Sequence, residues 1–586
     1  MLERQQLVGS RRDVLSPDIR VERPRVCSSQ HLRIMSFCAC VILIAVLVAA
    51  VMVGVAQSDV NDNNYEQDPT YWHNMAQKEL EDTLRERPRG VAKNVIFFLG
   101  DGMGPTTVTA ARILAGQLLG FKGEEQKLSF DKFPFTGLSR TYNVDHQITD
   151  SAASGTAYLT GVKTNQGLLG LSGAAIRKRC NSTEGAHVDS ILRWSLNAGK
   201  SAGIVTTARV THASPGAAYS HSADRDWESD RNIPHAEKDC ADIALQLISD
   251  NNDINVVMGG GRAYFYPVDA PDPEPDPTFN TSKVCRADGR NLIQEWQDIM
   301  ASKKARHRFV HNKKGFDSVD STRTDYLLGL FTQSHMSYEL DRNKTKEPSI
   351  ADMTEKAIQI LKKNSKGFFL FVEGGRIDHG HHDTRPAHAL HEVVAMAQAV
   401  EVATKLTDPF DTLIVVSADH SHVMNLAGYA TRGNPILGLS DNDDKVPSLA
   451  ASDKKPYTTL LYGNGPGYRE PRPNITGVDT ESKNYVSQSA VPFKSETHGG
   501  EDVGIFAQGP QSFLYSGVHE QNYIPMVMAY ASCVGPYAEG KKPCAKHESG
   551  STGQGQGSSS RAAALSTAGI VLTCWSLGYV ISKSCL

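Results

Sequence analysis

"GFFLFVEGGRIDHGHHD", residues 367–383, decides the fold, because it changes character halfway along. Phe368 to Val372 form an almost unbroken apolar run, as expected of a strand covered on both faces. The second half turns acidic and imidazole-rich. Asp378 and His382 stand four residues apart, so one helical turn sets a carboxylate oxygen and a ring nitrogen on the same side. A buried strand that ends in such a turn predicts a parallel sheet with its chemistry outside the carboxyl ends of the strands.

The same signature recurs. "NVIFFLG" (94–100), "SAGIVTT" (201–207), "INVVMGGG" (254–261) and "TLIVVSA" (412–418) are further short apolar runs. Helical stretches such as "HVDSILRWSLNAG" (187–199) and "ALHEVVAMAQAVEVATKL" (389–406) lie between them, which gives a doubly wound α/β architecture. No internal repeat interrupts it. The Pro- and Asp-rich "PVDAPDPEPDPTFN" (267–280) and the Gly-, Pro-, Asn- and Ser-rich segment at about 434–495 read as surface insertions. With 586 residues, 40% hydrophobic and 22% charged, the chain suits one large α/β domain or two to three ordinary ones. A net charge of −4 offers no general attraction to a polyanion, which argues against nucleic acid as the main partner.

The predicted strand ends carry Asp101, Glu373 and the pair Asp419–His420. Gly100 and Gly102 bracket Asp101 and let the backbone turn sharply there. Asp378 and His382 supply two ligands of a zinc ion, and His498 in "ETHGGED" (496–502) is the candidate third, leaving a position open for substrate. His379 and His381 alternate with those ligands and read as supporting or surface groups. Asp101, Asp419 and His420 form a second candidate zinc set, which the oxygen of Ser151 in "TDSAASGTAYLTG" (149–161) completes. No histidine or lysine neighbours Ser151 in the sequence to take its proton. A zinc ion on the serine oxygen would lower its pKa directly, and the helix start that Asp150 and Ser151 open offers N–H groups to an incoming dianion.

Both ends of the chain are apolar. Residues 36–56, "SFCACVILIAVLVAAVMVGVA", read as a secretion signal ending before Gln57, with a retained signal-anchor as the alternative. Near the other end, Ser549, Gly550 and Ser551 precede a polar spacer and a moderately apolar tail, the layout of a glycosylphosphatidylinositol attachment signal. A C-terminal membrane helix is the alternative there. Ten cysteines fall into Cys27, Cys38 and Cys40 in the leader, Cys574 and Cys585 in the tail, and five between, which suits an oxidising compartment. Sequons at Asn181, Asn280, Asn343 and Asn474 agree with it.

"GDGMG", "TDSAASGTAYLTGVKT", "THASPGAAYSHSADRDW", "VEGGRIDHGHHD", "SADHSH" and "THGGED" occur in the order found in alkaline phosphatases. From about Tyr65 to Cys544 the chain resembles that family, closest in layout to its animal, membrane-anchored members. The resemblance implies a central, mostly parallel sheet sandwiched between helices, two zinc ions and one magnesium per subunit, a homodimer, and hydrolysis of phosphate monoesters through a phosphoserine. It implies Ser151 as nucleophile and Arg225 as the bidentate clamp on phosphate. One zinc would sit on Asp378, His382 and His498, the other on Asp101, Asp419 and His420. Magnesium would sit on Asp101, Ser214 and Glu373, with His212 and His379 as neighbours of the ion sites. It also implies disulfides Cys180–Cys240 and Cys533–Cys544, leaving Cys285 unpaired. A calcium site of the mammalian members would fall near Glu274, Phe331, Thr332 and Glu347. Neutral Thr332 stands where a carboxylate is needed, so calcium is not expected there. The expected organisation is a leader over 1–56, one catalytic domain over 57–545, and an attachment signal over 546–586 that places the enzyme on the outer face of the plasma membrane.

Overall fold

In the computed structural model, residues 89–441, 451–538, 541, 544 and 545 are described. The segments expected as a leader and as an attachment signal, with Ser549, Gly550 and Ser551, lie outside the described residues. The strands, in chain order, are β1 (Asn94–Gly100), β2 (Phe135–Arg140), β3 (Ser201–Arg209), β4 (Val256–Gly260), β5 (His307–Val310), β6 (Tyr326–Leu330), β7 (Phe368–Gly374), β8 (Thr412–Ala418), β9 (Ser421–His422), β10 (Met424–Leu426), β11 (Leu460–Gly465), β12 (Ser489–Pro492), β13 (His498–Gly499), β14 (Val503–Gln508) and β15 (Gly517–Glu520). Ten of them make one sheet, in the order β15, β2, β14, β8, β1, β7, β3, β4, β6, β5. The five apolar runs picked out of the sequence are β1, β3, β4, β7 and β8, all in its middle. Only β14 runs against its neighbours β8 and β2.

Every residue of β1, β7 and β8 is buried, which explains why these strands carry no polar alternation. Ile96 and Phe98 point into one core, packed by the Ile350–Leu361 and Pro386–Leu406 helices, and Val95, Phe97 and Leu99 into the opposite one. Truncating Phe371, which packs 5.8 Å from Phe97 between ring centroids, would cost about 3–5 kcal/mol. Hence a rigid frame holds the strand ends.

Register sets the site. Gly100 pairs with Gly374 on one side and Ala418 on the other, so Asp101 and Asp419 emerge side by side, one residue past the end of β1 and β8. Glu373 lies opposite both Leu99 and Thr206. The described part of the segment expected as an insertion at 434–495 is more ordered than its composition suggests. Its β11 and β12 join β10 in a three-stranded sheet. Residues 268–280 are mostly exposed, and Asn181, Asn280, Asn343 and Asn474 are all exposed. Among the described residues no helix is long and apolar enough to cross a membrane.

Candidate active site

Ser151 opens the Ser151–Thr160 helix, all ten residues of which are buried. Asp150 caps it. One Asp150 oxygen accepts from Ala153 N–H and Gly167 N–H, both at 3.1 Å, and the other accepts from Arg225 Nη1 at 3.0 Å. One carboxylate therefore shapes the helix start and docks the arginine beside it. Burial pushes the Asp150 pKa up, but Arg225 and the two N–H groups bring it below the ordinary value. The helix ends at Gly161, whose φ of 81° favours glycine.

Ser151 Oγ lies 3.4 Å from Asp101 Oδ1 and 3.3 Å from His420 Nε2. Asp419 Oδ2 is 3.1 Å from the same His420 nitrogen, and its Oδ1 accepts from Gly102 N–H at 2.8 Å. Asp101, Asp419 and His420 have ligand atoms mutually within 4.8 Å, as do Asp101, His212 and Glu373. In the second group Glu373 Oε2 accepts from Thr206 Oγ1 at 2.5 Å. Asp101 Oδ2, Asp419 Oδ2, Glu373 Oε1 and Ser214 Oγ are buried without a hydrogen-bond partner. Burial, with the charges of Asp419, Asp378 and Glu373, holds the Asp101 pKa well above the carboxylate range, and burial pushes Glu373 up to about 8. Four inward oxygens with no hydrogen to accept call for cations. The corner of Asp101, Ser214 and Glu373 offers oxygens alone and fits a hard ion such as magnesium. The nitrogen-and-oxygen sets fit zinc.

Asp378 and His382 stand one turn apart on the Arg376–His382 helix, and His498 joins them from β13. Asp378 Oδ1 is 3.2 Å from His382 Nε2 and 3.4 Å from His498 Nε2, while those two nitrogens are 3.3 Å apart. The remaining ring nitrogens face main-chain carbonyls. His382 Nδ1 lies 2.5 Å from Glu496 O, His498 Nδ1 2.9 Å from Thr149 O, and His420 Nδ1 3.2 Å from Ser421 O. A carbonyl only accepts, so each Nδ1 carries the hydrogen and each Nε2 keeps its lone pair for an ion.

His379 sits near Arg376, 3.4 Å away, and near His212 and His335; burial and Arg376 lower its pKa to about 3. His212 Nε2 is 3.4 Å from Arg225 Nη2. His381 turns away and is fully buried between Thr107 Oγ1 at 3.0 Å and Tyr462 OH at 2.9 Å. Residue types and spacing pointed to neither His422 nor Glu496. His422 Nε2 is 2.8 Å from Asp378 Oδ1, its Nδ1 is 2.5 Å from Glu496 Oε2, and these carboxylates, against the effect of burial, raise its pKa to about 10. The available signal was the second histidine of "SADHSH", two residues beyond His420. Cys180–Cys240 and Cys533–Cys544 are disulfides, and Cys285 is free and buried.

The model of the alkaline phosphatase family matches residues 92–534. The tissue-nonspecific alkaline phosphatase of Mus musculus is 54% identical over 477 residues, 80% of this chain and 90% of that protein. The human counterpart is 53% identical over the same shares. An alkaline phosphatase of Gadus morhua is 51% identical over 80% of this chain and 98% of its own length. The alkaline phosphatase structure from Thermus thermophilus superposes with a TM-score of 0.53 at 23% identity, over 76% of this chain and 93% of that one, a likeness of fold. The chain belongs to the alkaline phosphatase family, and its activity is that of an alkaline phosphatase.

Proposed function

We propose that the enzyme hydrolyses phosphate monoesters through a phosphoserine on Ser151, with zinc on Asp378, His382 and His498, zinc on Asp101, Asp419 and His420, and magnesium on Asp101, Ser214 and Glu373. The observation that carries this reading is Ser151 Oγ set within 3.4 Å of Asp101 and His420, beside four buried oxygens without partners. When bound, the ions would lower the serine pKa and balance charge on the leaving oxygen.

The chain's own groups do the rest. Ser151 Oγ attacks phosphorus and the alcohol departs from the opposite side; water then attacks the phosphoserine and regenerates Ser151. Asp150 holds Arg225 through Nη1 and His212 Nε2 lies 3.4 Å from its Nη2, so the guanidinium is fixed in place to clamp two phosphate oxygens. N–H groups at the helix start favour the dianion. In this reading the enzyme tolerates many alcohols. In the same reading the enzyme is a homodimer, glycosylated and tethered by a glycolipid to the outer face of the plasma membrane.

The test combines hydrolysis of a chromogenic monoester, metal analysis, and mapping of phosphate trapped from labelled substrate. The expected label is on Ser151, in protein holding zinc and magnesium. Label on another residue rejects the nucleophile, and full turnover in zinc-free protein rejects the metal assignment. Phosphatidylinositol-specific phospholipase C should release the activity from intact cells. Retention on the membrane after that treatment rejects the tether.

A further inference from the structure

Glu496 is 1% exposed, two residues ahead of His498, and is not itself among the candidate ligands of the zinc site of Asp378, His382 and His498. It is tied on three sides. Oε1 accepts from Val423 N–H at 2.8 Å, Oε2 meets His422 Nδ1 at 2.5 Å, and its carbonyl oxygen meets His382 Nδ1 at 2.5 Å. His422 carries the connection onward, with Nε2 2.8 Å from Asp378 Oδ1. Both ring nitrogens of His422 face carboxylate oxygens, so both carry hydrogen and the ring bridges the two acids.

The bridge has no freedom to slide. β9 and β13 pair antiparallel with His422 directly opposite His498, which fixes the backbone beneath the ring. Gly102 closes the other side, since a Cβ there would come within 2.4 Å of the His422 ring. The carboxylate torsion of an aspartate is otherwise broad, so something must decide which way Asp378 presents its oxygens.

We propose that Glu496 is a positioning residue for the zinc of Asp378, His382 and His498: through His422 it orients Asp378, and through its own carbonyl it orients His382. This rests on the zinc reading given above. Outer partners of metal ligands usually govern affinity about 10- to 100-fold. A merely structural buried acid would instead affect folding.

The experiment is E496Q in the full-length enzyme, which keeps the size and an acceptor for Val423 N–H but removes the charge facing His422. Three quantities are read: zinc loss to a competing chelator, zinc and magnesium content, and Tm in excess zinc. The expected result is about 10- to 100-fold weaker holding of one zinc, with the other zinc and magnesium retained and Tm in excess zinc unchanged. The H422N/E496Q pair should be no worse than the more damaging single change, because both cut one link. Zinc held within about twofold of wild type, or effects of the two changes that simply add, overturns the proposal. If E496Q does not fold, H422Q is read by the same criteria. Wild-type protein that binds no zinc overturns this proposal together with the phosphatase mechanism; a wild type that binds it and an indifferent variant overturn this proposal alone.

Discussion

Two oxygen-lined corners of the molecule look alike in composition and differ in satisfaction. Asp101, Ser214 and Glu373 leave an oxygen each without a hydrogen to accept. Around Glu274, Thr332 and Glu347 the protein has supplied hydrogen bonds itself. Glu347 accepts from Ser337 N–H at 2.9 Å and Ser337 Oγ at 2.6 Å, Glu274 Oε1 from Asn312 Nδ2 at 2.9 Å, and Thr332 Oγ1 donates to Ser334 O at 2.8 Å. A cation is recruited by unmet oxygens, so counting acids is a poor guide to where one binds.

The strongest way to sharpen the contrast is to separate chemistry from ion holding at the first corner. Ser151→Ala should reduce turnover by at least about a thousandfold while zinc and magnesium contents stay near those of the wild type, as metal analysis beside steady-state kinetics will show. Loss of metal along with activity would mean that the serine oxygen, not the orphaned carboxylates, retains the ions. Glu373→Gln attacks the corner itself. Turnover without added magnesium should fall about 10- to 100-fold and recover in part with excess magnesium, whereas in chelator the variant should be no less stable than wild type.

Glu392 provides a buried carboxyl apart from both corners. Burial outweighs its bond from Glu339 N–H and raises its pKa from 4.5 to about 7. Between those values the folded state binds the proton more tightly than the unfolded state. Stability from this group therefore falls as pH rises through that window, and the full cost is present above it. Glu392→Gln should raise stability by about 1–3 kcal/mol at pH 8 and make no difference below about pH 4, measured by thermal unfolding at both pH values. The smallest effect is expected at the second corner. Thr332→Glu should lower the calcium concentration needed to raise Tm by about tenfold, the weight of one added charged ligand, while leaving monoester turnover unchanged. A wild-type Tm that already rises at micromolar calcium would erase the difference between the corners.

Much of the fold was readable because β1, β3, β4, β7 and β8 are apolar without interruption, and that pattern has few explanations other than a doubly covered parallel sheet. The sheet's other side was harder. β2 alternates buried and exposed residues, and β14 pairs antiparallel with β2 and β8 after a long excursion, a partnership no local pattern announces. The site residues were legible where motif and strand end coincided, as at Asp101 and at Asp419–His420. His422 and Glu496 were not, since their contact depends on how β9 meets β13. Glu392 reads as an ordinary helix acid, and only the tertiary packing that also brings Glu339 N–H to it leaves it buried.

One arrangement at the site bears on how such an enzyme can change over generations. The ring hydrogens of His382, His420 and His498 all point at main-chain carbonyls, those of Glu496, Ser421 and Thr149. Every amino acid brings a carbonyl, so no replacement of those three partners deletes the acceptor. The orientation of the imidazoles is thus insulated from drift in the neighbouring side chains, and the surroundings can diversify toward new alcohols or temperatures without the donor set being redesigned.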